Sequence, residues 1–252
     1  PRWWCLPVTT NSEFASTFSS MHKHRGLVLR QVPYQDHRYM LYLWTRDSGP
    51  QSFSVFASRS TPGMLRSGQL MPLQELELIT TGASSSSIQR VREMYPSPPV
   101  LGDLNGMQRM AYGLMAEWLA SVLAEGQNEA AYYDEFSTQL LESLDRTDTL
   151  AVVAECLAGL SRHLGFAPDP QSYRAGCLLD GSSGAWMNPG ESPAGYAWRM
   201  GPASSALYVQ ALHRLDGAGN NYAEFLNDLA TYFQVHLTGF RRPRYLSLLL
   251  ST

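Results

Sequence analysis

Cysteine is scarce in this chain. Its 252 residues hold three, Cys5, Cys156 and Cys177, widely separated and without a Cys-x-x-Cys pair. A structural zinc site needs about four ligands in paired spacing, and these cysteines cannot supply one. The usage suits a reducing cytoplasm. Cys156 lies in an apolar helical stripe and is expected to be a small core residue. Long hydrophobic runs are missing as well: no stretch of about 18 uninterrupted apolar residues exists, which argues against a membrane-spanning helix. Residues 1–20 have neither the basic start nor the continuous apolar core of a secretory signal. Met21 is followed at once by His22-Lys23-His24-Arg25. Met21 is therefore read as the natural start, and residues 1–20 as an extension that packs poorly.

Signatures of catalysis are absent too. There is no Gly-x-Ser-x-Gly, no His-Glu-x-x-His, no phosphate loop ending in Gly-Lys-Ser/Thr and no paired zinc-deaminase motif. His22, His24, His37, His163, His213 and His236 are not spaced with Cys, Asp or Glu in a ligand pattern. A lone helical histidine such as His213 or His236 is ordinarily a surface or hydrogen-bonded core residue. Asp180-Gly181-Ser182-Ser183-Gly184 lacks the strand–turn–helix context of a nucleophile loop and is expected to be a flexible turn. The chain reads as one that performs no catalysis.

What is present begins with residues 26–59, rich in β-branched and aromatic residues: Val28, Tyr39, Tyr42, Trp44, Phe53, Val55 and Phe56 suit a half-buried pleated surface. Asp47-Ser48-Gly49-Pro50 supplies a turn, so a hairpin is expected. Residues 70–80 alternate Glu75 and Glu77 with Leu76 and Leu78 at the period of a sheet with one wet face. Residues 88–94 place Arg90 and Arg92 on one side. Four or five strands with regular turn signals point to a small barrel or sandwich. A five-stranded OB-type barrel fits best, with an SH3-like barrel as the structural alternative.

After Tyr95-Pro96-Ser97-Pro98-Pro99, a helix-incompatible boundary, the pattern becomes helical. Residues 103–124 carry Leu104, Met107, Ala111, Leu114, Trp118 and Val122 as one apolar stripe. Asn128 is the expected N-cap of a second helix ending at Leu144, and Asp148 that of a third ending at Leu164, with Gly165 beyond it. An irregular stretch at 173–202 precedes helices at 204–215, 221–237 and 244–250. The fold class is thus α+β: an extension at 1–20, an N-terminal five-stranded OB-fold barrel at 21–96, and an all-helical C-terminal domain at 97–252 with an irregular insertion at about 173–202.

The net charge of −3 conceals an asymmetry. Residues 21–95 hold nine basic side chains against five acidic, whereas residues from 96 onward hold nine against sixteen. Phosphate binding works by counterion release at clustered basic groups, so the front module is the one suited to DNA. Lys23, Arg25, Arg30, Arg38, Arg59, Arg66, Arg90 and Arg92 are the expected phosphate contacts. Tyr34, Tyr39 and Trp44 are weaker candidates for stacking on bases.

Gly-Leu-Val-Leu-Arg-x-x-x-Tyr-x-Asp from Gly26, then Leu-Tyr-Leu-Trp-Thr-Arg-Asp-Ser-Gly from Leu41, then Phe-Ser-Val-Phe-Ala-Ser-Arg-Ser from Phe53 resemble the amino-terminal OB-fold of the RecO family of bacterial recombination mediators. Leu160 to Pro168 resembles the family helix that ends in Leu-Gly and a proline, and Tyr232 to Leu237 with the segment 240–250 resembles its carboxyl end. The likeness covers about residues 23–250. One departure stands out: many members hold zinc with four cysteines in the helical domain, where this chain has only Cys177. It looks like the zinc-free form found in the Bacteroidetes lineage, with packing of Tyr173, Trp186 and Trp198 in place of metal, and no cofactor.

The resemblance implies a cytoplasmic, nucleoid-associated, non-enzymatic repair protein. Such a protein binds single- and double-stranded DNA, anneals complementary strands and cooperates with RecR to load recombinase onto strands coated by single-strand-binding protein. The acidic C-terminal tail of that protein would want an apolar groove with a basic rim, either Arg162 with His163, or Arg241, Arg242 and Arg244. Two other readings remain open on residues alone: an OB-fold module for RNA or oligosaccharide, and a hydrolase or transferase with its site in the Gly/Ser/Pro-rich region.

Overall fold

The computed structural model describes residues 21–35, 38–56, 70–81, 88–98, 101, 104–123, 130–191, 198–215 and 221–251. Residues 1–20, Arg59, Arg66 and the Asn128 cap lie outside that set.

Five strands form a closed barrel: β1 (Met21–Gln35), β2 (Arg38–Thr45), β3 (Gly49–Phe56), β4 (Glu75–Thr81) and β5 (Gln89–Pro96). Their order is β1-β2-β3-β5-β4, and β1 closes the ring by pairing with β4 over its first half and β2 over its second. All pairings are antiparallel except β3 with β5. This is the OB-type arrangement expected from the strand pattern. β1 serves both neighbours because a register shift between Val28 and Arg30 bends it, as bulges do at barrel corners. Where β1 and β2 cross, Gly26 lies so close to Trp44 that an added Cβ would stand 2.7 Å from the Trp44 carbonyl oxygen.

The β2–β3 hairpin forms as expected. Gly49 takes a positive φ of 68°, and the Thr45 hydroxyl donates to the Gly49 carbonyl at 2.6 Å. Two boundaries differ from the sequence reading. The strand expected from residue 70 starts at Glu75, because Leu73 adopts φ 60° and Gln74 leaves the ladder. The Gln74 side chain donates to the carbonyls of Glu75 and Ser97 and accepts the Leu101 N–H at 2.7 Å. Tyr95 and Pro96 end β5 rather than opening a linker, since Pro96 needs no N–H at a strand terminus.

The helices are α1 (Gly106–Val122), α2 (Ala130–Glu142), α3 (Thr149–His163), α4 (Pro202–His213), α5 (Tyr222–His236) and α6 (Arg244–Leu249). Asn105 and Gln108 form a reciprocal capping box at α1. Asp148 caps α3 by accepting the Ala151 N–H at 3.1 Å, and Gly165 follows with φ 83°, both as the sequence indicated. The stretch read as irregular contains a small three-stranded sheet, β6 (Leu178–Asp180), β7 (Trp186–Met187) and β8 (Arg199–Met200). Asp180 shapes the β6–β7 turn, accepting from the Ser182 N–H and hydroxyl and the Ser183 N–H. Tyr173 meets Trp186 edge-on at 5.0 Å, and Trp186 donates its ring N–H to the Asp169 carbonyl at 2.6 Å.

Two cores result. Val28, Leu41, Leu43, Phe53, Val55, Leu76, Leu78, Val91 and Met94 fill the barrel. The helical core gathers Trp118, Phe136, Leu157, Tyr208, Phe225 and Phe233, and takes in Leu27, Leu29 and Trp44 from the outside of the barrel. Cys156 is buried in it as expected.

Candidate nucleic-acid interface

Alternation along β1, β2 and β3 decides which side chains leave the barrel. With Leu41, Leu43, Phe53 and Val55 inside, the outward set along β2 is Arg38, Met40, Tyr42 and Trp44, and along β3 Ser52, Ser54 and Phe56. The register joins these into rows. Arg30 stands opposite Tyr42 and Tyr42 opposite Ser52; Val32 faces Met40, Met40 faces Ser54 and Ser54 faces Arg90; Arg38 faces Phe56. The Arg30 guanidinium carbon lies 4.0 Å above the Tyr42 ring, a cation–π contact that holds the charge at the surface. Tyr34, at the end of β1, is 60% exposed and Phe56 is 48% exposed. Neither Asp nor Glu occurs in residues 26–35, 38–45 or 49–56.

The expected phosphate contacts divide between two sides. Arg30, Arg38 and Arg90 lie on this carboxylate-free face, and none of them forms an ion pair among the described residues. Lys23, Arg25 and Arg92 lie around β4, where acids neutralise them: Lys23 is 2.9 Å from Glu77, Arg25 is 2.6 Å from Glu75, and Arg92 is 3.8 Å from Glu93. Glu75 also accepts the Tyr133 hydroxyl at 2.8 Å, so the Arg25 pair ties barrel to helices. The Glu75 hydrogen bond raises the Arg25 pKa above its ordinary value. Lys23, Arg25 and Arg92 are thus less available to phosphate than their sequence positions implied.

Two of the three stacking candidates are buried. Tyr39 points into the barrel, where desolvation pushes its hydroxyl up to about 12. Trp44 faces outward but is covered by α2, its ring 5.1 Å from Tyr133, 5.5 Å from Tyr132 and 5.6 Å from Phe136. Strand alternation places Trp44 outside correctly, and only the docked helix hides it. Tyr42 and Phe56 are the surface rings instead, beside Tyr34.

The two clusters offered as a peptide rim also separate. Arg162 and His163 end α3, with the His163 ring stacked 4.4 Å from Tyr132. Arg241, Arg242 and Arg244 instead line a cleft with Arg30, an association of two distant chain segments that local pattern could not reveal. Among the described residues no group of three His, Cys, Asp or Glu side chains could hold a metal ion. Cys177 is buried with its sulfur 3.8 Å from Asn188 Oδ1. No described helix is long and apolar enough to cross a membrane.

No family model matches the chain. Three proteins named DNA repair protein RecO are similar to it over nearly their whole length. That of Azobacteroides pseudotrichonymphae is 21% identical over 239 residues, 92% of this chain and 98% of the relative. That of Phocaeicola vulgatus is 27% identical over 236 residues, 87% and 94% respectively. That of Christiangramia forsetii is 26% identical over 241 residues, 89% and 96%. Among solved structures, the asparaginyl-tRNA synthetase of Entamoeba histolytica aligns with a TM-score of 0.26 at 11% identity, over 66% of this chain and 37% of that one. The aspartyl tRNA synthetase of the same organism aligns with a TM-score of 0.25 at 11% identity, over 92% of this chain and 55% of that one. At those scores neither bears on the fold. With a closed barrel leading into helices, the chain is similar from end to end to three DNA repair proteins of one kind, named RecO.

Proposed function

We propose that the chain is a DNA-repair mediator that makes no covalent bonds of its own. In this reading it binds single- and double-stranded DNA, anneals complementary strands, and with RecR helps load recombinase onto strands coated by single-strand-binding protein. The observation that carries it is the face formed by β1, β2 and β3 with the start of β5, where Arg30, Arg38 and, on β5, Arg90 stand with Tyr34, Tyr42 and Phe56, and where the β1 half, β2 and β3 hold no carboxylate. Guanidinium groups track phosphates through charge, while exposed rings stack on bases of any kind. That combination gives affinity without sequence preference, which suits annealing and repair. The similarity to three DNA repair proteins supports the same reading.

RecR and the acidic tail of single-strand-binding protein are the partners this reading implies. Arg162 and His163, adjacent at the end of α3, are the basic pair proposed for the tail. Arg59 and Arg66 complete the proposed DNA contacts from the stretch between β3 and β4. The compartment proposed is the cytoplasm, at the nucleoid.

Fluorescence anisotropy with labelled single-stranded DNA tests the core of the proposal. Three or four phosphate contacts predict an affinity loss of roughly 20- to 50-fold between about 50 and 200 mM salt. Arg38→Ala and Arg90→Ala should each weaken binding and flatten that dependence. Salt-insensitive binding, or none, rejects the phosphate-tracking face.

A further inference from the structure

A cleft of about 490 Å³ opens where β1 of the barrel meets α1 and the segment joining α5 to α6. Four arginines line it, Arg30 on the barrel, Arg241 and Arg242 on the segment and Arg244 at the start of α6, together with one acidic residue, Glu117. That carboxylate is committed: it accepts the backbone N–H of Arg244 at 2.7 Å and of Tyr245 at 3.2 Å, and meets Arg244 Nε at 3.2 Å. Arg242 reaches the Asn227 side chain. Arg30 and Arg241 have no carboxylate partner among the described residues.

The arginines are held by a packed frame. Pro243 fixes the backbone ahead of α6, and Leu246 and Leu249 are buried beneath it. The Tyr245 ring lies against Gly113 of α1, so close that a Cβ there would stand 2.6 Å from it. Glu117 tethers the start of α6 to the same helix. The cleft therefore presents its arginines from a backbone held in a set position, with little loop entropy left to lose on binding.

We propose that this cleft binds the phosphodiester backbone of a single nucleic-acid strand, carrying the path from the β1–β2–β3 face across Arg30 onto the helical half. The inference rests on the DNA-binding reading above and deepens it. Arg30 belongs to both surfaces, since it lies on Tyr42 of the sheet face and lines the cleft. Guanidinium forks match phosphate oxygens two at a time. A space of this size is that of a small-ligand site, enough for a nucleotide or two of one strand and too small for a duplex. An acidic peptide tail fits less well, because such a tail anchors by large apolar side chains in an apolar groove, and beside four arginines the cleft's apolar side chains are Leu29, itself buried, Ala120 and Pro243.

The test compares the full chain with the Arg241→Ala/Arg242→Ala double variant and with Arg38→Ala, using single-stranded oligonucleotides of about 6 and about 20 nucleotides, within and beyond the span of one OB barrel. The double variant should lose affinity for the longer strand, with the logarithmic salt slope shallower by about 0.7 for each lost contact, and should change little on the shorter one. Arg241→Lys, which keeps the charge, should recover most of the slope, and melting curves confirm the fold. If the double variant binds the longer strand as the parent does while Arg38→Ala is weakened, the cleft assignment fails and the sheet face stands. If Arg38→Ala is unaffected while the double variant is weakened, the sheet face fails and the cleft stands; if neither changes, both fail. Loss of binding to an acidic peptide with a hydrophobic end, with DNA binding intact, would give the cleft to a protein partner and overturn the proposal.

Discussion

The Arg30 guanidinium rests 4.0 Å above the Tyr42 ring on adjacent strands. A cation held on an aromatic face keeps its outer N–H groups directed at solvent, ready for an anion. Tyr42→Phe preserves that platform and Tyr42→Ala removes it. A surface cation–π contact is worth about 0.5–1 kcal/mol. Tyr42→Ala should therefore weaken single-stranded DNA binding roughly two- to fivefold, with Tyr42→Phe close to the parent, as read by anisotropy.

Charge compensation separates the basic residues into two groups. Lys23 and Arg25 are held at Glu77 and Glu75, whereas Arg38 and Arg90 have no carboxylate partner among the described residues. Lys23→Ala is expected to leave the salt slope of DNA binding nearly unchanged, and Arg38→Ala to reduce it by about 0.7 on single strands. Equal reductions from both variants would mean that the Glu77 pair opens on binding.

Trp44 is a core residue at the barrel–helix seam, packed on Tyr132, Tyr133 and Phe136. Trp44→Ala should cost about 3–5 kcal/mol of stability in urea titration. Arg46, which bonds Asp134 through two nitrogens at 2.7 and 2.8 Å across the same seam, is exposed, so Arg46→Ala should stay within about 1 kcal/mol of the parent. A Trp44→Ala protein of parental stability but weakened DNA binding would contradict the burial described above.

His24 closes one end of the barrel interior, its Nε2 2.9 Å from Gln89 Oε1 and 3.2 Å from Thr80 Oγ1, with its ring 5.2 Å from Phe53. Burial holds its pKa below the ordinary 6.5; the Gln89 bond opposes that shift, His22 adds to it, and Asp47 opposes it. His236, stacked on Phe166, is lowered by burial too. For such groups the unfolded chain takes up the proton first. Their stabilising contribution is thus complete above about pH 6.5 and declines as pH falls below it. The urea midpoint should drop between about pH 7 and pH 5, and His24→Gln should show a smaller drop than the parent.

Much of this was legible in the residues. The turn at Gly49, the caps at Asp148 and Gly165, the alternation of Leu76 and Leu78 with Glu75 and Glu77, and the basic front against an acidic rear all follow from local chemistry: positive φ, orphan N–H groups, a period of two, and counted charge. The period of two puts Tyr42 and Trp44 together on the outside of β2 and Tyr39 inside, although Tyr39 and Trp44 are two of the three residues offered for stacking. It could not say that Tyr42 would meet solvent and Trp44 a helix, because period reports direction and not what stands opposite. The small sheet of β6, β7 and β8 escaped notice since two- and three-residue strands are too short to show any period.

The sequence alone therefore determined the barrel strands, the six helices, their order and the sign of charge on each half, since these depend on residues a few positions apart. The tertiary structure decided which basic side chains pair with Glu75, Glu77 and Glu93 and which have no carboxylate partner among the described residues. It also brought Arg30 to the mouth of the cleft formed by Arg241, Arg242 and Arg244. Those outcomes depend on how β1 bends at its bulge and how α1 and α6 dock beside it, long-range contacts that no local stretch of chain encodes.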